Sequence, residues 1–149
     1  QNSEMFYKLR TTTHVMNAAG LCMFGYISYD IQSMPDFLDA ITGWHGTLEE
    51  IYKTGERIDV MRHAFNLREG INPLTRNMPG RIVGEPPLTE GNVRNVTVDY
   101  RTEVKKYLEL TDWNKATTIP SEAKLKELGL EFLAKDLAKA KVPASNLLA

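Results

Sequence analysis

The chain has 149 residues, 42% of them hydrophobic and 25% charged, which suits a folded globular protein and excludes a wholly disordered one. Its 18 basic and 19 acidic side chains leave a net charge of −1, so the electrostatic footprint of a nucleic-acid binder is missing. No apolar run approaches the roughly 20 residues a bilayer crossing needs, and the opening QNSEMFYKLR holds no apolar signal region; the expectation is a cytoplasmic protein with no membrane contact.

The segment from about Ser3 to Tyr29 predicts a helix, a break near Gly20 and a second helix. Met5, Phe6, Leu9, Val15 and Met16 recur at helical spacing there, and the threonines at 11 to 13 are its weak point. Pro35 suits the first turn of a short helix, PDFLDAIT, which Gly43 can stop. Thr47 followed by Glu50 forms a capping box and starts the clearest helix, Thr47 to Glu69. Leu48, Ile51, Tyr52, Ile58, Met61 and Phe65 are its expected inward face.

From Ile71 to Thr97 the periodicity stops, and Pro73, Pro79, Pro86 and Pro87 mark a long irregular segment. Segments of that length in a compact fold serve a site, wrap a partner or stay mobile. Asp99 caps a helix that runs through Val104, Tyr107 and Leu108 to about Thr111. Ser121 caps another, which Gly129 can stop, and a lysine-rich amphipathic helix follows. With no repeat and no alternating strand, the expected fold class is all-α. It is a single multihelical domain over residues 1–149, with a long Pro/Gly-rich irregular segment at about 71–97.

One cysteine cannot form an intramolecular disulfide, so the chain suits a reducing compartment. His14, His45 and His63 have no ligand-type spacing to one another or to Cys22, and each reads as a surface or hydrogen-bonded structural residue. No nucleophile elbow or phosphate-binding glycine loop occurs, and no residue is assigned a catalytic role. Cys22 has two readings. It can be a small hydrophobe in the core, or a break at Gly20 can expose it at a helix start, where a thiol is a better metal ligand.

Three stretches together carry a resemblance. NAAGLC, Asn17 to Cys22, is similar to an Asp-x-x-Gly-Leu-Cys motif; GERIDVMRHAFNLREGINPLTRNMPGR is similar to a stretch leading from Gly-Glu-Arg-Ile to Arg-x-Phe-Asn-x-Arg-Glu-Gly and Leu-Pro-x-Arg. YLELTDWNKATTIPSEAKLKELGL resembles a tyrosine-rich helix that ends at Gly-Trp and continues to Pro and Lys-x-Leu-Gly-Leu. In this order, from about His14 to Leu130, they resemble the carboxy-terminal domain of the tungsten-containing aldehyde:ferredoxin oxidoreductase family.

The resemblance implies a multihelical domain and a cofactor segment at Asn17, Gly20, Leu21 and Cys22. Cys22 would be the last of four ligands to a [4Fe-4S] cluster, the other three lying far upstream in another domain. The head of the motif would meet the pterin of a tungsten or molybdenum bis-pterin cofactor. Asn17 stands there in place of the family's Asp, and one amide oxygen for a carboxylate weakens such a contact by about 1–2 kcal/mol. With Gln rather than Met at residue 1, the expectation is the C-terminal part of a larger enzyme that oxidises aldehydes with ferredoxin as acceptor. Its partners would be the upstream domains, ferredoxin and an aldehyde, with a homo-oligomer left open, and the fragment alone would be inactive and retain no cofactor. Rival readings are a related aromatic acyl-CoA reductase subunit and a non-catalytic helical interaction module in which Cys22 is structural. Arg62, Asn66, Arg68 and Glu69 read as scaffold, and Thr118, where the family usually has Gly, reads as a tolerated loop change.

Overall fold

The computed structural model describes residues 2–148. Among these the regular elements are all helices: α1 (Asn2–Ala18), α2 (Met23–Tyr26), α3 (Ser33–Thr42), α4 (Leu48–Arg68), α5 (Gly80–Val83), α6 (Tyr100–Leu110), α7 (Glu122–Glu127) and α8 (Ala134–Lys139). Single 3-10 turns lie at Pro73–Thr75 and Glu131–Leu133, and Trp113 and Pro120 form an isolated bridge. The all-α expectation holds.

Starts and stops follow the local chemistry. Thr47 Oγ1 accepts from the Glu50 N–H at 3.3 Å while the Glu50 carboxylate accepts from the Thr47 N–H at 2.7 Å, closing the capping box. That backbone bond also holds the Glu50 carboxyl below its ordinary value. Asp99 caps α6 through Thr102 N–H, and Ser121 caps α7 through Lys124 N–H. Helix α3 begins two residues before Pro35, which still falls in the first turn, where no intrahelical bond needs its N–H. Two of the expected helices are shorter than expected: α2 is one turn, and the lysine-rich stretch yields only a 3-10 turn and six residues of α8.

Helix α1 packs mainly on α4 and then on α6. Its buried residues are Ser3, Thr11, Thr12, Val15 and Met16, while Met5 and Leu9 are 67% and 64% exposed. The threonines, expected to weaken this helix, are its contact surface. Their hydroxyls bond back to the carbonyls of Tyr7 and Lys8 at 2.9 and 2.7 Å, so they enter the interior with the polar group satisfied. Across from them lies Gly55. A Cβ added to it would stand 2.0 Å from the Thr11 carbonyl oxygen, so the absence of a side chain sets how closely the two backbones approach.

The inward face of α4 is also turned from the expected one. Ile51, Gly55, Glu56, Asp59, Val60, His63, Ala64 and Leu67 are buried, whereas Met61 and Phe65 are 40% and 57% exposed. α4 supplies both apolar clusters, one with Tyr107, Trp113, Leu125, Leu128 and Leu130, the other around Val15, Met16, Met34 and Ile51. The irregular segment is as long as expected but is tied down at its start. Asn72 is 1% exposed; its Nδ2 donates to the carbonyls of Ala116 and Pro143 at 2.8 Å each, and its Oδ1 accepts from Leu74 N–H at 3.0 Å.

Gly55→Ala is expected to destabilise the chain by about 1–3 kcal/mol, because the added methyl meets rigid backbone and must drive the helices apart. Urea denaturation checks this. An unchanged midpoint would mean that the two helices do not meet at Thr11.

Candidate cofactor-binding segment

The segment Asn17 to Cys22 hangs from the end of α1. Gly20, at φ 73°, takes the left-handed conformation that ends the helix; its N–H bonds to the Asn17 carbonyl at 3.2 Å and Leu21 N–H reaches the Met16 carbonyl at 3.0 Å. Leu21 then packs into the Val15, Met16, Met34 and Ile51 cluster and anchors the turn. Cys22 follows in extended backbone as the residue before α2, and it is exposed. The core reading of this thiol therefore does not hold, because the inward side chain at the turn is Leu21. The field of a one-turn helix is small, so α2 adds little to what exposure alone gives. Asn17 is exposed one turn earlier, and its side-chain amide makes no hydrogen bond among the described residues. The same surface carries Met23, Phe24 and Ile27 at 51%, 76% and 70% exposure.

Behind the segment lies a buried polar group that the sequence reading missed. Asp59 on α4 is 3% exposed; its Oδ1 accepts from Arg10 Nη2 at 2.6 Å and lies 3.1 Å from His14 Nε2, and Tyr107 O–H reaches its Oδ2 at 3.5 Å. One carboxylate thus pins two residues of α1 and one of α6. Next to it Glu56, also buried, accepts from Tyr7 O–H at 2.8 Å and faces Lys124 Nζ at 3.2 Å. Burial, and for Tyr7 the bond to Glu56, pushes both tyrosine hydroxyls well above their ordinary range. The signal was present in the sequence as Glu56, Asp59 and His63, which share one stripe of α4, but the apolar residues on the far side of the helix outnumbered it.

The histidines divide as the sequence suggested. His14 serves Asp59, His45 is exposed beside Asp39 at 2.7 Å, and His63 is buried with Nε2 3.0 Å from the Thr118 carbonyl. His63 also stacks on Trp113 with ring centroids 4.2 Å apart. Among the described residues no three His, Cys, Asp or Glu side chains gather as a metal site.

Comparison with known proteins bears on what this surface is for. Residues 1–130 match the family described as "Aldehyde ferredoxin oxidoreductase, domains 2 & 3". The chain belongs to the aldehyde ferredoxin oxidoreductase family. It is 36% identical over 129 residues to the tungsten-containing aldehyde ferredoxin oxidoreductases of Pyrococcus abyssi and Pyrococcus horikoshii, covering 86% of this chain and 21% of each relative. To the enzyme of the same name from Pyrococcus furiosus it is 34% identical over 128 residues, 85% of this chain and 21% of the relative. The chain therefore spans about a fifth of the length of the curated relatives it matches.

Four of the family-like positions look different once the fold is known. Arg62 and Asn66 are exposed and make no side-chain hydrogen bond among the described residues, and Arg68 reaches only Glu69 at 3.1 Å and the Phe65 ring. A scaffold role inside this chain does not account for them. Thr118 sits at φ 58°, a left-handed backbone in which a β-branched residue is strained and the family's glycine is not. It is held there by His63 and by its own hydroxyl, which lies 3.4 Å from Asn72 Oδ1.

Two outcomes follow from this support. Asp59→Ala leaves Arg10 and His14 without their acceptor and is expected to lower stability by about 3 kcal/mol, read from urea denaturation; a loss below about 1 kcal/mol would show the carboxylate to be dispensable. Burial holds His63 below its ordinary 6.5, against the opposing bond to Thr118, so the fold favours the neutral ring. Its contribution is complete above 6.5 and is lost as pH falls through the lowered value. Stability should drop as pH falls below about 6.5, and His63→Gln should flatten that drop; equal slopes for the two proteins would contradict it.

Proposed function

We propose that this chain is the C-terminal, cluster- and cofactor-facing part of a larger tungsten or molybdenum pterin, iron–sulfur oxidoreductase that converts aldehydes to carboxylic acids and delivers the electrons to ferredoxin. The observation that carries the reading is Cys22. It is an exposed thiol on a turn anchored by Leu21, in a chain whose relatives are about four times as long. The relatives' names favour aldehyde oxidation over acyl-CoA reduction.

The residues present fit such a role only in part, as the role requires. Cys22 offers one thiolate and nothing in the described chain gathers around it to complete a ligand set, so three further thiolates belong to upstream domains. Asn17 offers an amide oxygen and two N–H donors toward solvent, a suitable if weaker partner for the donor and acceptor edge of a pterin. When bound, the pterin-held metal supplies the two-electron oxidation of the aldehyde and the cluster carries electrons singly toward ferredoxin. The chain's own work is positioning. Asp59 fixes α1 against α4 and α6, the Gly20 turn directs Cys22 outward, and Met23, Phe24 and Ile27 form an apolar rim that keeps water from the thiolate once covered. The proton-transfer groups at the metal lie upstream, so these 149 residues alone retain no cofactor and do not turn over. An exposed thiol of this kind suits the reducing cytoplasm.

The test is Cys22→Ala in the full-length, anaerobically purified polypeptide. Iron per polypeptide should fall sharply and the spin-resonance signal of the dithionite-reduced cluster should disappear, while the tungsten or molybdenum content falls less. A wild-type protein holding neither iron nor tungsten or molybdenum, or a variant with the cluster signal unchanged, would sink the reading.

A further inference from the structure

On the side of the molecule formed by α1, α6 and the Pro73–Met78 stretch there is an open groove of about 460 Å³. Phe6, Leu74, Val104, Leu108 and Leu147 make its walls largely apolar, and Asn2 and Ser3 are part of them. At its rim Phe6 and Met78 are 51% and 44% exposed.

Two hydrogen-bonding groups at this groove have no partner among the described residues. Trp113, 6% exposed, has its Nε1–H buried and unbonded, and so is the Tyr100 hydroxyl. A buried donor left unpaired costs about 1–3 kcal/mol each, which a working protein avoids. Water answers such groups only where two to four polar partners surround it, and these walls are mostly hydrocarbon. Arg10, whose guanidinium is bonded to Asp59, and Arg76 also line the groove. Its apolar walls and its two unanswered hydroxyl and indole groups call for an occupant that combines apolar bulk with carbonyl acceptors. A peptide segment has both.

We infer that this groove receives a segment of the same polypeptide lying outside these 149 residues, an apolar side chain filling it and backbone carbonyls accepting from Trp113 Nε1–H and Tyr100 O–H. The inference rests on the reading above that the chain is part of a longer enzyme, whose relatives are about four times as long. It adds which face that remainder covers. Asn2 and Ser3 are in the wall of the groove, so a segment preceding this chain would need little length to reach it and its loop-closure cost would be small.

Photocrosslinking decides the matter. In the full-length polypeptide, Met78 or, in a second variant, Phe6 is replaced by p-benzoylphenylalanine, the protein is irradiated, and the products are mapped by peptide mass spectrometry. The expected result is a crosslink within one polypeptide to a residue outside the 149, with no change in the chain's mass on a denaturing gel, from at least one of the two positions. A product of twice the chain mass, a crosslink confined to the 149 residues, or no crosslink from either position would overturn the inference. Iron and tungsten measured in the same preparations keep the two ideas apart. Metals present without the crosslink defeat the groove assignment alone, and the crosslink without metals defeats the cofactor reading while the groove assignment stands.

Discussion

The crossing of α1 over α4 is the constraint on which the other features rest. Two backbones come close enough there that Gly55 has no room for a methyl against the Thr11 carbonyl. Close approach of this kind excludes water from Asp59, four residues further along α4, and so gives its bonds to Arg10, His14 and Tyr107 the strength of a low-dielectric interior. The same proximity makes the carboxylate indispensable. Two cationic or potentially cationic groups face it from one helix, and a tyrosine hydroxyl faces it from another. Removing the acceptor would leave partners buried without compensation, the costly half of any buried ion pair.

What depends on that crossing is the placement of Cys22. The cysteine is not itself packed; its position derives from the helix before it and from Leu21, whose side chain is held in the Val15, Met16, Met34 and Ile51 cluster. A thiol at the end of a rigidly docked helix can be presented to an external partner without being fixed by one. This suits a chain that contributes a single group to a site assembled from several parts. His14 is one turn before Asn17, so the polar pin on Asp59 and the outward-facing segment belong to one rigid stretch.

The surface is the counterpart of this arrangement. Phe24, Ile27, Ile41, Ile82, Phe65 and Phe132 are each more than half exposed, spread along the chain. Arg62 and Asn66, in a family-like motif yet with side chains bonded to nothing among the described residues, point the same way. For a member of a family whose relatives are about four times as long, such faces are where the remainder of a fold would be expected to sit.

Much of the fold was legible in the chain because helix ends are local events. Thr47 with Glu50, Asp99 and Ser121 act through bonds three residues away, and each caps the helix it was expected to cap. The all-α class, the break at Gly20 and the family membership likewise follow from short patterns. The inward faces did not follow. Met5, Leu9, Met61 and Phe65 have the spacing of a core and lie outside, while Thr11, Thr12, Glu56 and Asp59 lie inside. Hydrophobic periodicity records which residues prefer to be covered and does not say by what; in a chain that presents apolar faces, the cover need not be its own. The choice between the buried and the exposed reading of Cys22 and the strain at Thr118 were equally beyond a linear reading, since each depends on a neighbour remote in sequence or on a backbone angle no composition reveals. The sequence by itself determined where helices begin and end, because caps and turns are settled within a few residues. Which residues meet was decided only by the tertiary structure, because a crossing as close as Thr11 on Gly55 selects small and polar side chains for the interior and turns the larger ones out.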